Sequence, residues 1–210
     1  MQLTTLLFFL LALAISYFLG CYRASSFQNR GEALVRRELQ ANFSGPDYHL
    51  LNHITLKLKD GTTQIDHILV SRFGVFVIET KDYKGWIFAN AKHATWTQVL
   101  YRWKFKFQNP IFQNMRHVRA VQELFDFLPP EAIKSAVVFT DRAEFKTEMP
   151  SGVYTLPGLI DHLRAATEEV MSLNRVQFCV GRLETARLAI SGQTDLEHVK
   201  SLQRKHGGPN

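Results

Sequence analysis

The chain has 210 residues, 46% of them hydrophobic, which is enough for one domain with a real core plus an appendage. Its two cysteines, Cys21 and Cys179, lie too far apart to make a disulfide framework or a zinc-ligand pair, so a reducing compartment is the simpler reading. The net charge of +6 is concentrated between Lys81 and Arg119, where eight basic residues face one acid, Asp82, a balance suited to a polyanion such as nucleic acid.

Residues 1 to 22 carry no charged side chain, and Leu3 to Tyr22 is almost wholly apolar. Twenty helical residues span about 30 Å, the thickness of a bilayer's hydrocarbon core. Arg23, Arg30, Arg36 and Arg37 follow this segment and no Lys or Arg precedes it. The positive-inside rule then predicts a single-pass anchor with the following domain in the cytoplasm. A cleaved signal peptide lacks support because the basic n-region is missing, and Phe18-Leu19-Gly20-Cys21 is a poor lipoprotein site.

Residues 30 to 43 have apolar positions 34, 35 and 39 at helical spacing and read as an amphipathic helix, broken by Gly45-Pro46-Asp47. Tyr48 to Leu58 reads as a strand ending at the Asp60-Gly61 hairpin signal. Gln64 to Ser71 and Val75 to Lys81 form the central hairpin. A turn centred on Arg72 and Phe73 sets Asp66 opposite Glu79, with Cβ atoms about 5 Å apart, and Lys81 returns to the face of Glu79. Two acids and a lysine inside apolar strands are costly as structure and well suited to holding Mg²⁺. Their alternative is a buried ion-pair cluster.

Trp86-Ile87-Phe88 and Thr95 to Val99 read as short strands. Tyr101 to Phe107 alternates strictly, with Tyr101, Trp103, Phe105 and Phe107 on one face and Arg102, Lys104 and Lys106 on the other; a half-buried strand with a wet basic face is predicted. Asn109-Pro110 opens a helix that runs toward Pro129-Pro130. Ala136 to Thr140 is a late strand, Leu156 to Leu173 is largely helical, and Gly181 onward is a weak helix ending in a polar tail. The expected domains are an anchor over 1–23, a core over 28–128, its C-terminal part over 129–182, and a helical or flexible tail over 183–210. The expected fold is α/β, a mixed central sheet flanked by helices.

Gly31-Glu32, Leu51-Asn52, Gln64-Ile65-Asp66-His67, Gly74 to Lys81, Tyr83-Lys84-Gly85, Trp96 and Asn109 to Asn114 together resemble the NERD (nuclease-related) domain family over roughly residues 30 to 128. That resemblance implies the restriction-endonuclease-like fold of the PD-(D/E)xK nucleases, with Asp66 as the first acid and Glu79-Thr80-Lys81 as the E-x-K element. It implies an acid on the first helix at Glu32 and a helix glutamine at Gln113.

The implied activity is Mg²⁺-dependent phosphodiester hydrolysis (Mn²⁺ as a substitute), of DNA rather than RNA. Asp66, Glu79 and the Thr80 carbonyl are the expected metal ligands. Lys81 is expected to position water, neutralise developing charge, or act as a base if its pKa falls. Gln64, on the Asp66 face by alternation, joins Lys84, Arg102, Lys104, Lys106 and Arg116 as expected nucleic-acid contacts. His67 reads as a packed, hydrogen-bonded histidine, and His49 and His53 are assigned no metal. The competing reading is an inert module of this fold that docks DNA or a protein at the membrane.

Overall fold

A computed structural model describes residues 30–188. The expected membrane span over 3–22 and the far end of the tail lie outside the described residues. No helix among the described residues is long and apolar enough to cross a membrane.

Helix α1 covers residues 30–42. Strands β1 (Tyr48–Leu58), β2 (Gly61–Ser71) and β3 (Gly74–Lys81) follow as an antiparallel meander. β4 (Gly85–Phe88), β5 (Thr95–Leu100) and β6 (Trp103–Gln108) lead into α2 (Pro110–Leu124). A 3₁₀ turn (Pro130–Ala132) precedes β7 (Ile133–Phe139), β8 (Ala143–Phe145) and β9 (Val153–Thr155), then α3 (Leu156–Arg164) and α4 (Leu173–Ala186).

The architecture is mixed α/β with two sheets, one ordered β1-β2-β3-β7-β9 and the other β6-β5-β4-β8. The single central sheet expected from the sequence is therefore divided, because β4 to β6 pair with the three-residue β8 instead of extending the β3 edge. That edge is taken by β7, parallel to β3, with Glu79 beside Val137. The helix expected over Leu156 to Leu173 stops at Arg164, and a new one starts at Leu173, where the Ser172 hydroxyl accepts from the Arg175 amide.

Helices cover both faces of the five-stranded sheet, which is why β3 is apolar along nearly its whole length. On one side α1 and α3 bury Val35, Leu39, Leu159 and Leu163 against Phe76, Ile78 and Val138. On the other, α2 and α4 bury Val121, Val176 and Leu183 against Ile68, Val75 and Val77. Each such side chain contributes roughly 1.5–3 kcal/mol by leaving water. Cys179 lies in this second layer, where burial pushes its thiol up to about 11.

Two local devices bring the helices to the sheet. A Cβ at Gly31 would lie 2.5 Å from the Asp82 Cβ, so only glycine lets α1 pass this close to the end of β3. Asn109 caps α2 by accepting from the Ile111 amide, and its Nδ2 donates to the His93 carbonyl at 2.8 Å. One turn on, the buried Asn114 Nδ2 reaches the Val77 carbonyl (2.9 Å), Ser135 Oγ (2.8 Å) and the Ala136 carbonyl (3.1 Å), tying α2 to β3 and β7.

Candidate functional site

The β2–β3 ladder pairs Ser71 with Gly74 and continues in register to His67 opposite Ile78, where it stops. One residue beyond His67 and two beyond Ile78, the Thr80 amide donates to Asp66 Oδ2 at 2.8 Å. A side-chain carboxylate replaces a backbone acceptor here, so the strands part where the acids lie.

On the other side of β2, Asn52 pairs with His67 and Ile54 with Ile65, while His53 and Asp66 between them do not pair. His53 has φ +53°, the left-handed region that costs a non-glycine residue about 1 kcal/mol or more. Across this step the alternation slips. Leu51, Ile54 and Leu56 of β1, and Ile65, Ile68 and Val70 of β2, enter the same core layer. Gln64 therefore does not share the Asp66 face: Gln64 is exposed and Asp66 is buried. The strict period of two, which placed them together, fails at the site.

Glu79 sits at 1% exposure with both carboxylate oxygens engaged. Lys81 Nζ donates to Oε1 at 2.6 Å and also to Gln113 Oε1 at 3.0 Å. His117 Nε2 lies 3.1 Å from Glu79 Oε2, and its Nδ1 lies 2.7 Å from Thr63 Oγ1. A carboxylate only accepts, so Nε2 carries the proton; in the neutral ring Nδ1 then accepts from the Thr63 hydroxyl. His117 lies one helical turn after Gln113 on the same face of α2, a spacing readable from the sequence.

Burial pushes the Asp66 carboxyl well above the usual carboxylate range, and the Glu79 and Glu32 carboxylates reinforce the shift. Burial pushes Glu79 up as well, but Lys81 and His117 outweigh it and hold Glu79 below its ordinary value. Lys81 is displaced upward: burial opposes its charge, and Glu79 more than compensates. The condition attached to a lysine base, a lowered pKa, is not met here, since the acid beside Lys81 favours its ammonium form.

Glu32 enters from α1, buried, with Oε2 3.3 Å from His53 Nδ1. His67 donates from Nδ1 to Asn52 Oδ1 at 2.7 Å, as a packed histidine should, and burial lowers its pKa to about 3.

The expected nucleic-acid contacts divide. Lys84 is exposed three residues past Lys81, and its carbonyl accepts from Gln98. Arg116 is half-buried and paired with Asp60 at 3.7 Å, at the β1–β2 turn. Lys104 and Lys106 are exposed on β6, and Arg102 sits in its hairpin turn together with Tyr101. The half-buried aromatic face predicted for this strand is not present. Only Phe107 packs, and Tyr101 (85%), Trp103 (65%) and Phe105 (50%) stand exposed, because the sheet extends past its core there.

The donor set suits a hard divalent cation. Asp66, Glu79 and Glu32 offer oxygens only, and burial together with the Glu79 and Glu32 carboxylates pushes the Asp66 carboxyl well above the usual range, a shift that a cation would relieve. His67 Nε2 and Thr80 Oγ1, on the residues that follow Asp66 and Glu79 in the chain, are buried without protein partners. Among the described residues no three His, Cys, Asp or Glu side chains form a ready metal cage. Lys81 and His117 engage the two Glu79 oxygens. Mg²⁺ commonly takes one or two carboxylates and keeps waters for the rest, so a two-acid set is sufficient.

The family model of the nuclease-related domain, NERD, matches residues 28–140, more than half of the chain. A Bacillus anthracis protein described as uncharacterized is 45% identical over 97 residues, which cover 46% of this chain and 45% of that protein. The chain thus spans less than half the length of that relative. No solved structure matches.

Proposed function

The chain belongs to the nuclease-related domain family, and on that basis we propose that it is a membrane-anchored, Mg²⁺-dependent nuclease that hydrolyses phosphodiester bonds, in DNA rather than RNA, on the cytoplasmic side. The observation that carries this reading is the convergence of Asp66, Glu79 and Lys81 where β2 and β3 part, with Gln113 and His117 reaching the same carboxylate-lysine pair from α2.

Each residue has a distinct task. Asp66 and Glu79 would hold the divalent cation, with the Thr80 carbonyl as a further oxygen. When bound, that ion supplies Lewis-acid charge at the phosphoryl oxygen and acidifies a water. Lys81 presents a fixed ammonium to the charge that develops on the phosphate, and Gln113 orients that ammonium from α2. His117 fixes the Glu79 rotamer and, with Lys81, holds that carboxyl below its ordinary value. Glu32, steadied by His53, adds negative field on the α1 side of Asp66. The basic residues Lys84, Arg102, Lys104 and Lys106 would contact phosphates without reading sequence. The apolar segment over residues 3–22 supports the anchor, and the arginines after it support the cytoplasmic side.

Purified protein offered linear, circular and single-stranded DNA and RNA should release products with Mg²⁺ or Mn²⁺ and none with chelator. A second reading, an inert module of the same fold, is favoured by the engagement of both Glu79 oxygens. It predicts nucleic-acid binding that ignores Mg²⁺ and no product on any of these substrates.

A further inference from the structure

Among the described residues β6 is the free edge of the four-stranded sheet. By alternation Trp103, Phe105 and Phe107 share one face, opposite Leu100, Gln98 and Trp96 of β5. The line is anchored at one end only. The Phe107 ring meets Tyr83 at 4.5 Å, edge to face, and Trp96 at 6.1 Å. Tyr83 follows Lys81 by two residues, so the line begins beside the candidate site. Phe105 and Trp103 continue it into solvent. An edge strand with exposed aromatic residues invites self-association, and contiguous exposed apolar surface marks a binding site.

We propose that Phe105 and Trp103 are a stacking track for unpaired bases, which leads a single-stranded segment of nucleic acid along the free edge of β6 to the site at Lys81. The inference rests on the nuclease reading of that site and names the form of its substrate. Spacing decides in favour of an unpaired strand. Alternate residues on a strand stand about 6.8 Å apart, twice the roughly 3.4 Å rise per nucleotide of a duplex strand. Bases must be splayed to occupy both rings, and a duplex keeps its base faces covered.

Charge agrees with this occupant. Lys104 and Lys106 project from the opposite face of the same edge strand, within reach of a backbone running along it, and the hairpin carries no acidic residue between Thr95 and Gln108. A bilayer fits less well. It would have to take aromatic and basic groups from one side, and here they point to opposite sides.

The test uses the full chain with Asp66→Asn, to suppress cleavage, and compares it with the same protein carrying Trp103→Ala and Phe105→Ala. Anisotropy titrations at one fixed salt concentration use a single-stranded DNA oligonucleotide and its duplex. We expect the single strand to bind more tightly than the duplex. The double substitution should weaken the single strand by about tenfold or more, since one lost stack reads as roughly 5- to 150-fold. Duplex affinity should change less than about twofold, and Trp103→Phe should retain single-strand binding.

Equal loss on both forms, or no loss on either, overturns the track and leaves the nuclease reading standing if the protein with Asp66 intact cuts. Reduced flotation with phosphatidylcholine–phosphatidylserine vesicles at unchanged oligonucleotide affinity overturns it in favour of a lipid-facing hairpin. Failure of the parent to bind any nucleic acid removes both readings.

Discussion

Glu79 and Lys81, two residues apart on β3, form a 2.6 Å ion pair inside a strand whose other side chains are almost all apolar and buried. Such a pair adds little net stability over apolar packing, but removing one partner strands the other charge at a cost of about 3–5 kcal/mol. Lys81→Met should therefore lower the unfolding free energy by about 3 kcal/mol, at the low end because His117 still serves Glu79. Adding Glu79→Gln should recover most of the loss. Urea unfolding of the four members of this cycle measures the coupling, and additive effects would contradict a closed pair.

Asp66 carries the opposite signature. Its folded-state pKa lies above its unfolded value, so the folded protein binds the extra proton and stability falls as pH rises through the folded pKa. Asp66→Asn removes that penalty and can still accept from the Thr80 amide. The variant should melt at a higher temperature than the parent at neutral pH, by about 2–4 °C for each kcal/mol relieved. The gain should vanish below the ordinary carboxylate range, where Asp66 is protonated in both states. Melting curves across pH decide, and a neutral-pH loss of stability would show that Asp66 is structurally supportive.

His53 combines a left-handed backbone with a 3.3 Å contact to Glu32. Glycine relieves that backbone, whereas alanine keeps the strain that histidine already carries. His53→Gly should therefore be more stable than His53→Ala by about 1 kcal/mol. Both should slow cleavage, because Glu32 loses its support. Equal activity in parent and His53→Gly would remove His53 from the site.

Lys104 and Lys106, exposed on β6, should act through phosphates alone. Replacing both with alanine should lower the magnitude of the log–log salt slope of single-strand binding by about 1.4, roughly 0.7 per contact. An unchanged slope would place the polyanion elsewhere.

Much of the site's frame was legible in the sequence. The short turn at Arg72 and Phe73 fixes the register, and the ladder from Ser71↔Gly74 to His67↔Ile78 follows it. The helix start at Asn109-Pro110 was equally plain, because capping is local chemistry. The step at His53 was hidden, since nothing in Asn52-His53-Ile54 demands a left-handed residue. It arises because Ile54 and Ile65 must turn toward α2 and α4 after Leu51 and Ile68 have already done so. The direction of the Lys81 shift depends on which of burial and Glu79 prevails, a balance set by the distance between them. The exposure of Trp103 and Phe105 depends on where the second sheet outruns its core, and β8, only three residues long, gave no periodic signal.

The most direct measurement is the single-turnover rate of DNA cleavage in Mg²⁺ by the parent, Asp66→Asn and Lys81→Met. A fall of at least about a hundredfold in both variants, with nucleic-acid affinity nearly unchanged, is the predicted result, since a lost group that stabilises transition-state charge commonly costs 10²–10³ in rate. Parental rates in both variants would contradict the assignment of the β2–β3 parting point as the place where the phosphodiester is cut.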